Sequence, residues 1–109
     1  MTISTVHRSA RGLEGFSLKG HAGYAEEGLD IVCSAASILI ITCANALESV
    51  VNIKPKTHVD EAECIVLLPK SLTPEQLAQS QIVLATILQG FQDLACSYST
   101  YFNIENNNQ

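Results

Sequence analysis

The sequence predicts an α+β fold with two layers, in which a mainly antiparallel four-stranded sheet carries two helices on one face in the order ββαββα. Two long apolar segments, 31–50 and 74–98, have helical patterns, and a pair of short β-prone segments precedes each of them. Because a short turn joins the strands of each pair, we expect hairpins and not crossovers. With 109 residues, 47% of them hydrophobic, the chain is predicted to be a single domain over 1–109.

The first pair of strands is predicted at residues 3–8 and 13–20. Both segments carry β-branched or aromatic residues in partial alternation, and the intervening SARG supplies a turn glycine. In the second strand, Phe16 and Leu18 point to one face, and Ser17 and Lys19 point to the other. A glycine-rich loop is expected to follow over residues 20–29.

The first helix is predicted from residue 31 to about residue 50. Asp30 is the expected N-cap, because its carboxylate can accept the free amides of the first turn. Apolar side chains surround this segment almost completely, so it must be buried on more than one side. The sheet can cover one side, and a second helix or a second subunit must cover the rest.

The second half repeats the strand–strand–helix order. THVD and ECIVLL predict two strands around a tight turn at Glu61 and Ala62. TPEQ is a strong helix start, with Thr73 as cap, Pro74 in the first turn and Gln76 completing a capping box. Apolar residues at spacings of three, four and seven then form a stripe along one helical face, which runs to Tyr98. From about residue 103 the tail is polar, and we expect it to be frayed.

The charge balance and the cysteine content restrict the class of protein. The net charge of −5, with only six lysines and arginines, argues against direct binding to nucleic acid and favours a basic partner. The N-terminus has no signal-peptide core, and the uncharged segment 31–47 is interpreted as a buried helix and not a membrane span. The cysteines show no disulfide or zinc spacing, so a cytoplasmic protein with reduced thiols is expected. Three of them are predicted to be small core residues: Cys43, Cys64 and Cys96.

The segment GHAGYAEEGLDIVCSAAS, residues 20–37, combines a histidine on a glycine-rich loop with a cysteine near a helix start. A thiol attacks as the thiolate, and an ordinary cysteine, with a pKa of about 8.5, is mostly protonated at neutral pH. In the first turn of a helix, free amides and the helix dipole would favour the anion at Cys33, and His21 could take its proton. The hinges Gly23 and Gly28 would let the loop fold back over the helix start, and the glycines of this substrate loop, Gly20, Gly23 and Gly28, would let a peptide backbone approach.

Two further residues are candidates for supporting roles. Ser37 lies four residues after Cys33, on the same helical face. Asp30 would raise the pKa of the thiol unless helix amides or an imidazolium hold its carboxylate. Spacing alone leaves other interpretations open: Cys33 packed in the core, a His–Asp–Cys metal site that lacks a fourth ligand, and a redox sensor without a resolving cysteine nearby in sequence.

The same segment resembles the signature of the ribosomal-processing cysteine proteases, the Prp family. The signature has a Gly-His-Ala opening, a glycine and an aspartate before the helix, and a cysteine followed four residues later by serine. The matching positions are Gly20, His21, Ala22, Gly28, Asp30, Cys33 and Ser37. Ser34 departs from the alanine that is common in the family, and Leu29 stands where relatives often have a polar residue.

The resemblance implies a cysteine endopeptidase with a His–Cys dyad, in which His21 is the general base and Cys33 is the nucleophile. It implies neither a metal nor another cofactor. The implied substrate is a basic bacterial ribosomal protein, the twenty-seventh of the large subunit, whose N-terminal extension is removed after aromatic residues. Family members look like homodimers. A non-catalytic module that binds a ribosomal protein through the same loop is the alternative.

Overall fold

The fold is that of a computed structural model, which describes residues 1–20 and 27–108. Five strands and two helices follow one another along these residues. In chain order they are β1 (Thr2–Ser9), β2 (Gly12–Lys19), α1 (Glu27–Ser49), β3 (Lys56–Val59), β4 (Glu63–Leu67), α2 (Pro74–Ser97) and β5 (Phe102–Asn108).

The described strands form one mixed sheet in the order β3-β4-β2-β1-β5. Both predicted hairpins are present and antiparallel, and β2 and β4 join them in the middle of the sheet. The prediction of four strands is wrong, because the tail adds β5 parallel to β1. Asparagine is rare in strands, so FNIENNN carries little strand signal. Backbone hydrogen bonds to β1 hold it in the sheet, and only Phe102 is buried.

The helix α1 begins at Glu27, four residues before the predicted start. Asp30 therefore lies inside the helix, and its prediction as the N-cap is wrong. Gly28 likewise belongs to the first turn of α1 and is not a loop hinge. A glycine at one helical position costs only about 1 kcal/mol relative to alanine, too little to stop a helix whose later turns are buried. Counted from Glu27, Cys33 is the seventh residue of α1 and lies in its second turn.

One face of α1 packs into the core of the protein. Its fully or almost fully buried residues recur every three or four positions: Val32, Ala36, Ile40, Cys43 and Leu47. The segment Ile31–Ser49 is long and apolar enough to cross a membrane by length and composition. A core helix of a soluble protein can meet the same criterion, and one face of this helix packs on the sheet and on α2.

The second helix, α2, starts as predicted. The hydroxyl oxygen of Thr73 accepts the amide of Gln76 at 3.0 Å, and the amide of Thr73 donates to the side chain of Gln76 at 3.0 Å. Further along, Gly90 lets α1 approach closely, since a Cβ atom there would lie 2.6 Å from the Cδ2 atom of Leu39. The cost of a mid-helix glycine is thus offset by helix–helix packing.

The core lies between the two helices and one face of the sheet, as predicted. Phe91 of α2 is fully buried at its centre. Its ring meets that of Phe16 of β2 edge-on, with centroids 5.2 Å apart, and stacks on that of Phe102 of β5 at 5.9 Å. Three elements that are distant in sequence are therefore joined through one aromatic side chain.

Candidate active site

The candidate site lies at the end of the sheet where β1 begins and β2 ends. The register pairs Ile3 with Lys19 and Lys19 with Glu63, so β4 also begins there. The hairpin pairing of Val59 with Cys64 brings the end of β3 to the same place. The second to fourth turns of α1 pass over this end of the sheet and complete the site.

A pocket of about 230 Å³ lies between α1 and this end of the sheet. Cys33 and Ser37 lie side by side on its helical wall, so the structure brings these two predicted residues together. Most of the remaining lining is apolar, and it includes residues from β1, β2, β3, β4 and the turn between β3 and β4. These lining residues are Thr2, Leu18, Ile40, Ile41, Val59, Asp60, Glu63 and Cys64.

The sulfur of Cys33 has one described polar neighbour. It lies 3.6 Å from the hydroxyl oxygen of Thr2, the first residue of β1. Cys33 is half-buried, so its thiol is partly open to solvent, whereas Thr2 is fully buried. The sequence carries no signal for this contact, because 31 positions separate the two residues.

The other three cysteines occupy different environments, and all four are free thiols. Burial raises the pKa of Cys43 to about 12, and it also raises the pKa of Cys64. Both thiols are therefore poor nucleophiles at neutral pH. Cys96 is exposed near the end of α2, so its prediction as a core residue is wrong. Cys33 and Cys64 are both partly exposed and both line the pocket, but Cys33 lies on its helical wall, whereas burial raises the pKa of Cys64 on the sheet side.

The position of Cys33 in α1 changes the expected electrostatics. The amides without acceptors in a helix are those of its first four residues, here 27–30, and the effect of the dipole fades within the first turn. Cys33 lies beyond that turn, so the helix start contributes less to a thiolate than a first-turn position would. Hydrogen bonds and neighbouring groups must supply the remaining stabilisation of the thiolate.

Gly20 directly follows β2 and has a conformation that favours glycine. Its φ is +81°, and a Cβ atom there would lie 2.3 Å from the carbonyl oxygen of Met1 and 3.7 Å from the Cα atom of Thr2. Gly20 is therefore needed where two chain segments approach closely. Two other predicted residues, His21 and Gly23, lie outside the described residues, and for Asp30 only the helical backbone is described.

Two histidines are described, and neither lines the Cys33 pocket. His7 lies on the sheet face opposite the helices, where its Nε2 atom is 3.0 Å from the hydroxyl of Ser17, and burial lowers its pKa. His58, on the same outer face, lies 2.9 Å from a carboxylate oxygen of Asp60. That contact is the largest cause of the lowered pKa of Asp60, which keeps a negative charge at the rim of the pocket.

Within residues 1–20 and 27–108, no group of three histidine, cysteine or acidic side chains is arranged to hold a metal ion. Two thiols, two hydroxyls and two carboxylates line the described part of the pocket. Such an arrangement suits nucleophilic attack by sulfur on a bound peptide, provided that a base takes the thiol proton.

The model of the family described as cysteine protease Prp matches residues 1–103. The chain belongs to this family. Over 110 residues, covering 98% of both proteins, it is 24% identical to the ribosomal processing cysteine protease Prp of Bacillus subtilis (strain 168). The predicted family and the predicted cysteine-protease activity are thereby confirmed.

Solved structures show the same fold. A Streptococcus mutans protein superposes with a TM-score of 0.85 at 28% identity, covering 100% of this chain and 96% of that one. The essential ribosomal processing protease Prp from S. aureus, in complex with a substrate peptide, superposes with a TM-score of 0.80 at 22% identity over the full length of both chains. The same S. aureus protease with a covalently linked product peptide superposes with a TM-score of 0.79 at 22% identity, covering 98% of this chain and all of that one.

Proposed function

We propose that this Prp protease removes the N-terminal extension of the twenty-seventh protein of the bacterial large ribosomal subunit, with Cys33 as nucleophile and His21 as general base. The observation that carries the proposal is the pocket beside Cys33, the partly exposed thiol of the family's signature segment. The reaction takes place in the bacterial cytoplasm, where the ribosomal substrate is made and thiols are kept reduced.

The proposed reaction has two steps. His21 takes the proton of the Cys33 thiol, and the sulfur forms a bond to the carbonyl carbon of the scissile peptide. The C–N bond breaks, the proton goes to the leaving amine, and the extension stays on the enzyme as a thioester. Water then attacks the thioester, releases the extension as a carboxylate and returns the proton to sulfur. Asp30 and Ser37 are proposed as supporting residues.

The position of Gly20 supports His21 as the base. Gly20 packs beside Thr2, and Thr2 contacts the sulfur of Cys33. The residue that directly follows Gly20 in sequence is His21, so the chain leaves the described sheet close to the thiol. The other two histidines, His7 and His58, belong to the opposite face of the sheet, away from α1.

The lining of the pocket supports cleavage after an aromatic residue. Leu18, Ile40, Ile41 and Val59 give it apolar walls, and its volume of about 230 Å³ is below the ~300–1,000 Å³ typical of sites for whole drug-sized ligands. A pocket of this size suits one large apolar side chain. The carboxylate of Asp60 at the rim and the net charge of −5 favour a basic substrate.

Incubation with the ribosomal protein bearing its extension tests the proposal. We expect one cut directly after an aromatic residue of the extension, identified from the masses of both products. His21→Ala should lower the cleavage rate by at least about 10²-fold, the usual contribution of a general base. His7→Ala, which alters a histidine that contacts Ser17 on the outer face and does not line the pocket, is the matched control and should cleave at the wild-type rate.

A substrate in which aspartate replaces the aromatic residues of the extension should remain uncut, because a carboxylate does not suit the apolar walls. Cleavage of that substrate at the original position would contradict the proposed pocket. An unimpaired His21→Ala variant would contradict the proposed dyad.

We also propose that the protease is a homodimer whose interface includes the outer face of α1. Ile31, Ile38 and Ile41 are each at least half exposed there, at spacings of seven and three. Such a stripe is typical of a helix that packs against another helix. A second copy of the chain would cover it with the same stripe in a two-fold arrangement.

Analytical ultracentrifugation tests this interface. We expect the wild-type protein to sediment as a dimer and Ile38→Glu to sediment as a monomer, because a buried unpaired carboxylate strongly disfavours association. Ile82→Glu is the matched control, since Ile82 is similarly exposed but lies on α2, and it should remain dimeric. A monomeric wild type, or a dimeric Ile38→Glu variant, would contradict the proposal.

A further inference from the structure

The hydroxyl of Thr2 is in an unusual position for a buried polar group. Thr2 is fully buried at the start of β1, and its hydroxyl oxygen lies 3.6 Å from the sulfur of Cys33. Within the described part of the chain, Cys33 is the side chain recorded as its hydrogen-bond partner. A buried hydroxyl that points at a partly exposed thiol beside a pocket can hydrogen-bond to that thiol as well as pack in the core.

The backbone around Thr2 is fixed on both sides. Its amide donates to the carbonyl oxygen of Tyr101 at 2.9 Å, and it pairs with Phe102 of β5. On the other side, Gly20 packs against Met1 and Thr2. Threonine is β-branched, so its χ1 angle has few accessible values in such a setting. The hydroxyl is therefore held in place before substrate arrives.

We propose that Thr2 is a positioning residue of the protease, which donates its hydroxyl hydrogen bond to the Cys33 thiolate and keeps the sulfur at the pocket wall. The inference rests on the proposed role of Cys33 as nucleophile. Because Cys33 lies beyond the first turn of α1, the thiolate receives less help from the helix start. A donor from the sheet compensates for this, since a hydrogen bond to the charged form stabilises it.

The same strand offers a matched comparison. Ser4, two residues further along β1, is also fully buried on the helix side of the sheet, and its hydroxyl has no partner among the described residues. Removal of the Ser4 hydroxyl therefore tests the loss of a buried hydroxyl from β1 without the contact to sulfur. Thr2→Val keeps the shape of threonine and removes only the hydroxyl, and Thr2→Ser keeps the hydroxyl.

The test measures the alkylation rate of Cys33 by iodoacetamide from pH 5 to pH 10, with the labelled peptide quantified by mass spectrometry. We expect Thr2→Val to move the midpoint of this profile upward by about 0.5–1 pH unit, the size of a single hydrogen-bond effect on a thiolate. Thr2→Ala should move it in the same direction. Ser4→Ala and Thr2→Ser should keep the wild-type midpoint.

Peptide cleavage provides a second readout. At pH 7, Thr2→Val should lower kcat by about 3- to 10-fold with little change in KM, and a higher pH should restore most of the loss. If Thr2 had a purely structural role, a higher pH would not restore the lost kcat. An unchanged alkylation profile in Thr2→Val, or a Thr2→Ser variant as impaired as Thr2→Val, would overturn the inference. Alkylation is measured without substrate, so this result is separate from a failure of the proposed substrate.

Discussion

Replacement of Cys33 by alanine is expected to lower the rate of peptide cleavage by at least about 10³-fold. Without the sulfur, no thioester forms, and the apolar pocket alone provides only binding. The helix should survive the change, because Cys33 is half-buried and alanine is the best helix former. Initial rates of cleavage of the extended ribosomal protein measure the effect, and circular dichroism checks the fold.

Cys96→Ala is the matched control for this experiment. It removes an exposed thiol from the end of the other long helix, so the cleavage rate should stay at the wild-type value. If Cys33→Ala cleaved at full speed, the assignment of the nucleophile would be wrong. The activity of the family would then have to come from another of the four thiols.

Replacement of Phe91 by alanine is expected to lower the free energy of unfolding by about 3–5 kcal/mol. The ring is fully buried and contacts the rings of Phe16 and Phe102, so its removal leaves a cavity between α2, β2 and β5. A domain of this size is commonly stable by only about 5–15 kcal/mol, so the loss is a large fraction of the total. Urea unfolding at a fixed protein concentration measures it.

Ile82→Ala provides the comparison within the same helix. Ile82 is 70% exposed, and its truncation should change the free energy of unfolding by no more than about 0.5 kcal/mol. Equal destabilisation by the two substitutions would contradict the central role of the aromatic cluster. Because Phe102 belongs to β5, Phe91→Ala should also weaken the strand that holds Thr2 beside Cys33.

Local sequence determined the elements whose signals lie within a few residues. The capping box at Thr73 depends on contacts three residues apart, and it forms as predicted. The hairpins follow from alternation and turn residues, and the inward direction of Phe16 and Leu18 follows from the period of a strand. The family signature over residues 20–37 was likewise readable, because its residues are close together in the chain.

Only the tertiary structure decided the features that depend on distant partners. Burial of the later turns extends α1 back to Glu27, which removes Asp30 from the cap and places Cys33 in the second turn. The tail becomes β5 because the edge of β1 offers it backbone hydrogen bonds, which do not depend on its asparagines. The contact between Thr2 and Cys33 spans 31 positions and results from the packing of a helix on a sheet, which no local pattern encodes.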